Sequence, residues 1–119
     1  MRAYVPVGWA QLRELDATGL LGGPLRLCSV DPAWRAGAPE VDEEEWEFEA
    51  QLAAAQSLAD LDDAAGGVVL AVELPDARIE LDDGWGMYAG PVGRTDTAAV
   101  LTADLQWFAA QEIPFLFGT

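Results

Sequence analysis

The fold is decided by the stretch Val68-Val69-Leu70-Ala71-Val72-Glu73-Leu74, in which Glu73 is the one charged residue. Such a nearly continuous apolar run is typical of a central strand that is covered on both faces of its sheet. The order of the predicted elements, β-α-β-α-β-β-β-α, has helices interspersed among the strands, so we expect helices to pack on the sheet.

Shorter patterns on either side of this stretch predict the other elements. Further strands are expected over 3–7, 25–30, 78–82, 86–92 and 98–101. Helices are expected over 9–17, 40–63 and 103–112, and Asp31-Pro32 is expected to open a short helical turn. The predicted fold class is α+β, a mixed sheet of about five strands with three helices packed on it. One domain is expected to span residues 1–119.

Helical spacing predicts which face of each helix is buried. In the first helix the buried positions are Leu12 and Leu15. In the long helix they are Phe48, Leu52, Ala55 and Ala59. In the last helix they are Leu105, Phe108 and Ala109, with Thr102 as its cap.

Composition excludes several classes of function. The chain has 21 Asp and Glu residues against 6 basic residues, a formal net charge of -15, so nucleic-acid binding and attraction to anionic membranes are not expected. It contains no His and no Lys, so it cannot form a Ser-His-Asp triad, a Cys-His pair or a Schiff base. No cofactor is predicted.

Cysteine usage points to a reducing compartment. Cys28 is the only cysteine, which permits no internal disulfide and, without His, no tetrahedral zinc site. We expect Cys28 to be a small buried apolar residue and expect no metal centre. No apolar run of signal-peptide length follows the first residues, so a soluble cytoplasmic protein is expected.

The most distinctive chemical feature is an acidic block that holds seven carboxylates in residues 40–49. Such a block is either a solvated helix face or an electrostatic docking surface for a basic protein partner. On a helix, Trp46 would point away from Phe48 and Leu52 and stand exposed in the acidic field, where it could anchor a partner. The predicted partner-binding residues are Glu43, Glu44, Trp46 and Glu47.

The leading hypothesis is therefore a non-enzymatic binding or regulatory protein. An immunity protein for a basic toxin, a regulatory adaptor and a nucleic-acid mimic all fit this description. The alternative is a small-ligand site or carboxylate-based enzyme site near Trp85, Tyr88 and Glu112, since a buried Glu can act as a general acid or base. A structural homo-oligomer is the third possibility.

Several short motifs follow one another in a recognisable order. They are Met1-Arg2-Ala3-Tyr4-Val5-Pro6, Leu74-Pro75-Asp76-Ala77, Ala89-Gly90-Pro91-Val92 and Trp107-Phe108-Ala109-Ala110-Gln111-Glu112-Ile113. With them the chain resembles an uncharacterised actinobacterial family of small acidic proteins, a domain of unknown function. Its members carry an N-terminal Arg-x-Tyr-Val-Pro motif and a C-terminal Trp-Phe/Tyr-x-x-Gln-Glu motif. The resemblance implies a cytoplasmic protein and gives no information about its activity.

Overall fold

The computed structural model describes residues 1–61, 66–74 and 79–117. Its strands, in chain order, are β1 (Arg2–Gly8), β2 (Leu20–Leu21), β3 (Leu25–Cys28), β4 (Gly67–Glu73), β5 (Trp85–Tyr88), β6 (Val92–Gly93), β7 (Thr97–Leu101) and β8 (Trp107–Ala109). Six of them form one sheet in the order β5-β3-β1-β4-β7-β8, and β2 pairs with β6. The α+β class is confirmed. The sheet has six strands instead of about five, and its neighbours pair antiparallel, so a mixed sheet was the wrong expectation.

The central position of β4 is confirmed. It pairs with β1 over seven positions, from Arg2↔Glu73 to Gly8↔Gly67, and with β7 on its other side. Because side chains alternate along a strand, Val68, Leu70 and Val72 pack into one apolar cluster and Val69 and Ala71 into a second one on the opposite face. The sheet therefore separates two cores.

Helix α1 (Trp9–Thr18) covers the first core. Its Leu12 and Leu15 are fully buried, as the spacing predicts. The helix ends where Gly19 adopts a left-handed conformation with φ of 79°, which glycine adopts without steric cost. Among the described residues, no helix is long and apolar enough to cross a membrane.

Helix α3 (Glu43–Ser57) covers the second core and continues into a 3-10 turn, Leu58–Asp60. It is shorter than the predicted 40–63, whose last two residues lie outside the described part. Its buried face is also rotated from the predicted one: Ala55 is buried, but Phe48 and Ala59 are exposed and Leu52 is half-buried. The face toward the sheet carries Ala50, Ala54 and Ser57 instead. These small side chains let the helix approach the sheet closely, and the larger apolar residues remain outside.

The C-terminal segment corrects another prediction. Residues 103–109 do not form a helix: Phe108 and Ala109 lie in β8, opposite Val100 and Ala99 of β7. Residues 110–112 begin a 3-10 helix, Ala110–Phe117. Thr102 caps no helix, and its hydroxyl accepts a hydrogen bond from the Gln106 amide. Pairing with the open side of β7 outweighs the helical spacing of this stretch.

The predicted strands 78–82 and 86–92 are also corrected. Residue 78 lies outside the described part, residues 79–81 are not strand, and Asp82 makes a single bridge with Trp85. Asp83 and Gly84 have φ of 49° and 86°, so they form a tight two-residue turn. β5 begins directly after this turn, at Trp85, one residue before the predicted start at residue 86. The second predicted strand is divided between β5 and β6.

Candidate functional site

The solvent-facing side of α3 forms an acidic surface around an exposed aromatic ring. A shallow depression there is lined by Asp42, Glu44, Glu45, Phe48 and Glu49, and we call these five residues the acidic face. Asp42 caps the helix by accepting a hydrogen bond from the Glu45 amide at 3.0 Å. The Phe48 side chain is 49% exposed, although a phenylalanine gains free energy when it is buried.

Of the four predicted partner-binding residues, Glu44 lies on the acidic face. Glu43 accepts hydrogen bonds from Arg35, one of them from Nε at 2.9 Å, and this contact lowers the pKa of the Glu43 carboxyl. Trp46 is half-buried, with its ring centroid 5.9 Å from that of Trp34, so the expectation of an exposed Trp46 was wrong. Phe48 is the exposed aromatic residue that the sequence reasoning missed. Its signal is helical spacing, because Glu44 and Glu45 precede it by one turn.

Glu47, the fourth predicted residue, faces the sheet. The buried Tyr4 hydroxyl donates to Glu47 Oε2 at 2.6 Å, and Gln51 Nε2 donates to the same hydroxyl at 3.2 Å. Burial, together with the neighbouring Glu47 carboxylate, raises the pKa of Tyr4 well above its ordinary value. This network fixes α3 on β1.

A second feature lies beside the acidic face. Three of the five tryptophans, one each from α2 (Pro32–Gly37), α3 and β5, line a cavity of about 320 Å³. Its lining residues are Trp34, Trp46, Trp85, Glu49, Ala53 and Asp83, and we call it the tryptophan cavity. Glu49 belongs to both features.

Hydrogen bonds hold the elements around the tryptophan cavity together. The buried Asp31 carboxylate caps α2 by accepting from the Ala33 amide at 2.9 Å, and it also accepts from the Gly84 amide at 3.1 Å. Trp34 Nε1 donates to Asp83 Oδ1 at 3.0 Å. A Cβ on Gly84 would lie 2.6 Å from the Trp34 ring, so the ring packs directly on this glycine. The tight turn and α2 are therefore locked to each other.

The alternative site residues Trp85, Tyr88 and Glu112 are not brought together. Trp85 packs against the core below α3, whereas Tyr88 packs against the core on the other face of the sheet. Glu112 is exposed and follows β8, at the opposite edge of the sheet from β5. Five strand spacings of about 4.8 Å put the two edges roughly 24 Å apart.

Another cavity, of about 770 Å³, has Arg2, Arg35, Asp31 and Glu47 among its lining residues. Each of these side chains already has a partner within the chain: Arg2 Nε donates to Glu73 Oε1 at 2.6 Å, and the other three make the contacts described above. Within the described residues, no group of three metal-ligating side chains occurs.

Comparison with known proteins gives a family but no described activity. No curated protein and no solved structure matches the chain. One family model matches residues 1–102, from β1 to the residue after β7, and so includes the acidic face and the tryptophan cavity. On that match, the chain belongs to the family of unknown function DUF6912.

Proposed function

We propose that this protein is a small acidic binding or regulatory protein without enzymatic activity that docks a basic protein partner through the acidic face of α3. The observation that carries the proposal is the position of Phe48, a half-exposed aromatic ring among four carboxylate-bearing residues. An apolar anchor inside a charged rim is the arrangement of many interfaces in which a few central residues supply most of the binding energy.

The two parts of the acidic face have different roles. The carboxylates attract a basic partner over a distance and raise its association rate, in a manner that salt screens. Phe48 then enters an apolar pocket on the partner, where its burial is worth about 1.5–3 kcal/mol and slows dissociation. The matching surface is an apolar pocket with Lys or Arg around it. Candidate partners are basic toxins, basic regulatory proteins and nucleic-acid-binding proteins, since proteins of these classes carry basic surfaces.

The other predicted residues support this face. Glu43 pairs with Arg35, Glu47 binds Tyr4 and Trp46 packs on Trp34, so all three hold α3 in place. We assign direct contact with the partner to Glu44, Glu45, Phe48 and Glu49. The family resemblance supports an actinobacterial source. The buried lone thiol of Cys28 supports a cytoplasmic location, where thiols stay reduced.

The test compares matched variants in capture from native lysate at low and high salt, followed by binding kinetics on the purified captured protein. One variant replaces Glu44, Glu45 and Glu49 with Gln, and its control replaces the exposed Glu14, Asp104 and Glu112 with the corresponding amides. Both sets remove three negative charges, but only the first lies on the acidic face. We expect the first set to slow association with the partner and to weaken the dependence of the association rate on salt. The control should leave the association rate and its salt dependence largely unchanged.

A second pair of variants tests the anchor. Phe48→Ala is expected to raise the dissociation rate about tenfold or more, as for a central interface residue. Phe115→Ala, at a residue that is 77% exposed in the C-terminal segment, is its control and should change nothing. If Phe48→Ala and Phe115→Ala change the dissociation rate equally, and both variants keep the circular dichroism of the folded protein, the acidic face is not part of the interface.

A further inference from the structure

We propose that the tryptophan cavity binds a quaternary ammonium group, such as a choline headgroup or a trimethylated lysine side chain. The proposal concerns a ligand chemistry that the docking of a basic protein does not require. It stands on the indole rings and carboxylates that line the cavity.

The indole rings supply the first part of the recognition. Trp34 and Trp46 are tilted by 34° with their centroids 5.9 Å apart, so they are not stacked in parallel, and both line the cavity. Trp85 completes the lining. All three rings are half-buried, which leaves part of each available to a ligand. The negative face of an indole attracts a cation more strongly than any other aromatic side chain does.

Trp85 already takes part in an interaction of this kind. The Arg26 guanidinium lies over its ring, 3.8 Å from the centroid. Arg26 and Trp85 line a neighbouring cavity together, whereas Arg26 is absent from the lining of the tryptophan cavity. The resident arginine therefore leaves the tryptophan cavity open to a second cation.

The carboxylates supply the second part. Glu49 and Asp83 line the cavity, and its lining includes no basic side chain that would neutralise them. Asp83 Oδ1 accepts the Trp34 indole hydrogen bond, which aligns the ring and leaves the negative charge of the carboxylate in place. A cation in the cavity would therefore lie close to three indole rings and two anionic groups.

The choice of a quaternary ammonium follows from hydrogen-bonding capacity. A primary ammonium carries three N–H donors and a guanidinium five, and each donor needs an acceptor once it leaves water. The indole rings and Ala53 offer no strong acceptor, so the acceptors are confined to the Glu49 and Asp83 carboxylates, and N–H donors directed at the rings would stay unpaired. A quaternary ammonium has no N–H donor, so it loses no hydrogen bond on entering. The volume of about 320 Å³ is at the low end of the roughly 300–1,000 Å³ of small-molecule sites, as a compact headgroup requires.

The cavity is also formed before any ligand arrives. Asp31 ties α2 to the tight turn, Trp34 bonds to Asp83, and Arg35 pairs with Glu43 across α2 and α3. These contacts connect the three elements that carry the tryptophans. A preformed site loses little conformational entropy on binding.

The test titrates the full chain with choline and, separately, with 3,3-dimethylbutan-1-ol, which has the same shape without the charge. The indole N–H signals of the five tryptophans are followed by NMR. We expect choline to shift the signals of Trp34, Trp46 and Trp85 and to bind roughly tenfold more tightly than the neutral analogue. Equal binding of the two, or no shift at these three indoles with millimolar choline, would overturn the proposal.

A second titration distinguishes the sources of the cation. It uses a short peptide with one trimethyllysine and the same peptide with unmodified lysine. Tighter binding of the trimethylated peptide than of choline assigns the site to a modified protein, and the reverse order assigns it to a free or lipid-borne choline group. Either result supports the site. Measurable binding of both peptides with equal affinity contradicts it.

Two variants with matched controls complete the test. Trp85→Leu and Glu49→Gln should each weaken choline binding several-fold. Trp107→Leu and Glu112→Gln, both at the far edge of the sheet, should not. Glu49→Gln keeps the side-chain shape at an exposed position, so it remains informative even where a tryptophan variant unfolds. The result is independent of the docking proposal, because free choline is the probe.

Discussion

Replacing Asp31 with alanine should destabilise the protein more than replacing any exposed cap. The Asp31 carboxylate is buried and accepts two hydrogen bonds, from the Ala33 amide at the start of α2 and from the Gly84 amide in the tight turn. Loss of the cap costs about 1 kcal/mol. Leaving the buried Gly84 amide without a partner costs about 1–3 kcal/mol more. The free energy of unfolding should therefore fall by about 2–4 kcal/mol.

Asp42→Ala is the matched control. Asp42 caps α3 through one hydrogen bond at an exposed position, so its loss should cost about 1 kcal/mol. Both substitutions remove one negative charge, and the difference between them isolates the buried bond to Gly84. For a chain of 119 residues, about 4 °C per kcal/mol gives a fall of roughly 8–16 °C in Tm for Asp31→Ala and about 4 °C for Asp42→Ala.

Urea unfolding followed by circular dichroism and tryptophan fluorescence measures both free energies. The slopes of the two unfolding curves should agree, so that the midpoints can be compared directly. Equal losses for the two variants would refute the reasoning, because they would mean that the Asp31–Gly84 bond contributes nothing. A loss for Asp42→Ala that exceeds the loss for Asp31→Ala would refute it more strongly.

Three other measurements check properties of the buried groups and the net charge. Because the pKa of Tyr4 is raised in the folded protein, the unfolded chain loses this proton first as pH rises. The free energy of unfolding should therefore fall above about pH 10, and Tyr4→Phe should abolish this fall when denaturation is measured at a series of pH values. Burial raises the pKa of Cys28 to about 11, so its thiol should react with a disulfide reagent at pH 8 only after denaturation, and rapid reaction in the folded protein would contradict this. Added NaCl should raise Tm, since screening over a Debye length of roughly 8–10 Å weakens the repulsion between like charges in a chain of net charge -15. A flat or falling Tm would mean that attractive ion pairs outweigh this repulsion.

The sequence was most informative where a pattern is local. The apolar run at 68–74 identified the central strand, and the spacing of Leu12 and Leu15 identified the buried side of α1. The Asp31-Pro32 pair identified the start of α2, since Asp caps a helix and Pro suits its first position. In each case the residues that determine the element lie within a few positions of one another.

The errors arose where distant parts of the chain decide the outcome. Residues 107–109 have helical spacing but pair with β7, because strand pairing satisfies an otherwise open edge. Apolar residues occur on every side of α3, so the sequence could not show that Ala50 and Ala54 would face the sheet and Phe48 the solvent. The tryptophan cavity joins residues 34, 46 and 85, and only the assembled fold brings them together.

The strand β8 has a consequence for how the chain can be shortened. The family match ends at residue 102, yet the residues beyond it cover the outer side of β7 and insert the fully buried Ile113 into the first core. A chain that stopped at 102 would present the apolar β7 as an unpaired sheet edge, with free amide and carbonyl groups in register for another molecule. Such an edge favours intermolecular strand addition, so the shortened chain should aggregate even though every residue of the family match is present. The segment after residue 102 therefore protects β7 from pairing with another molecule.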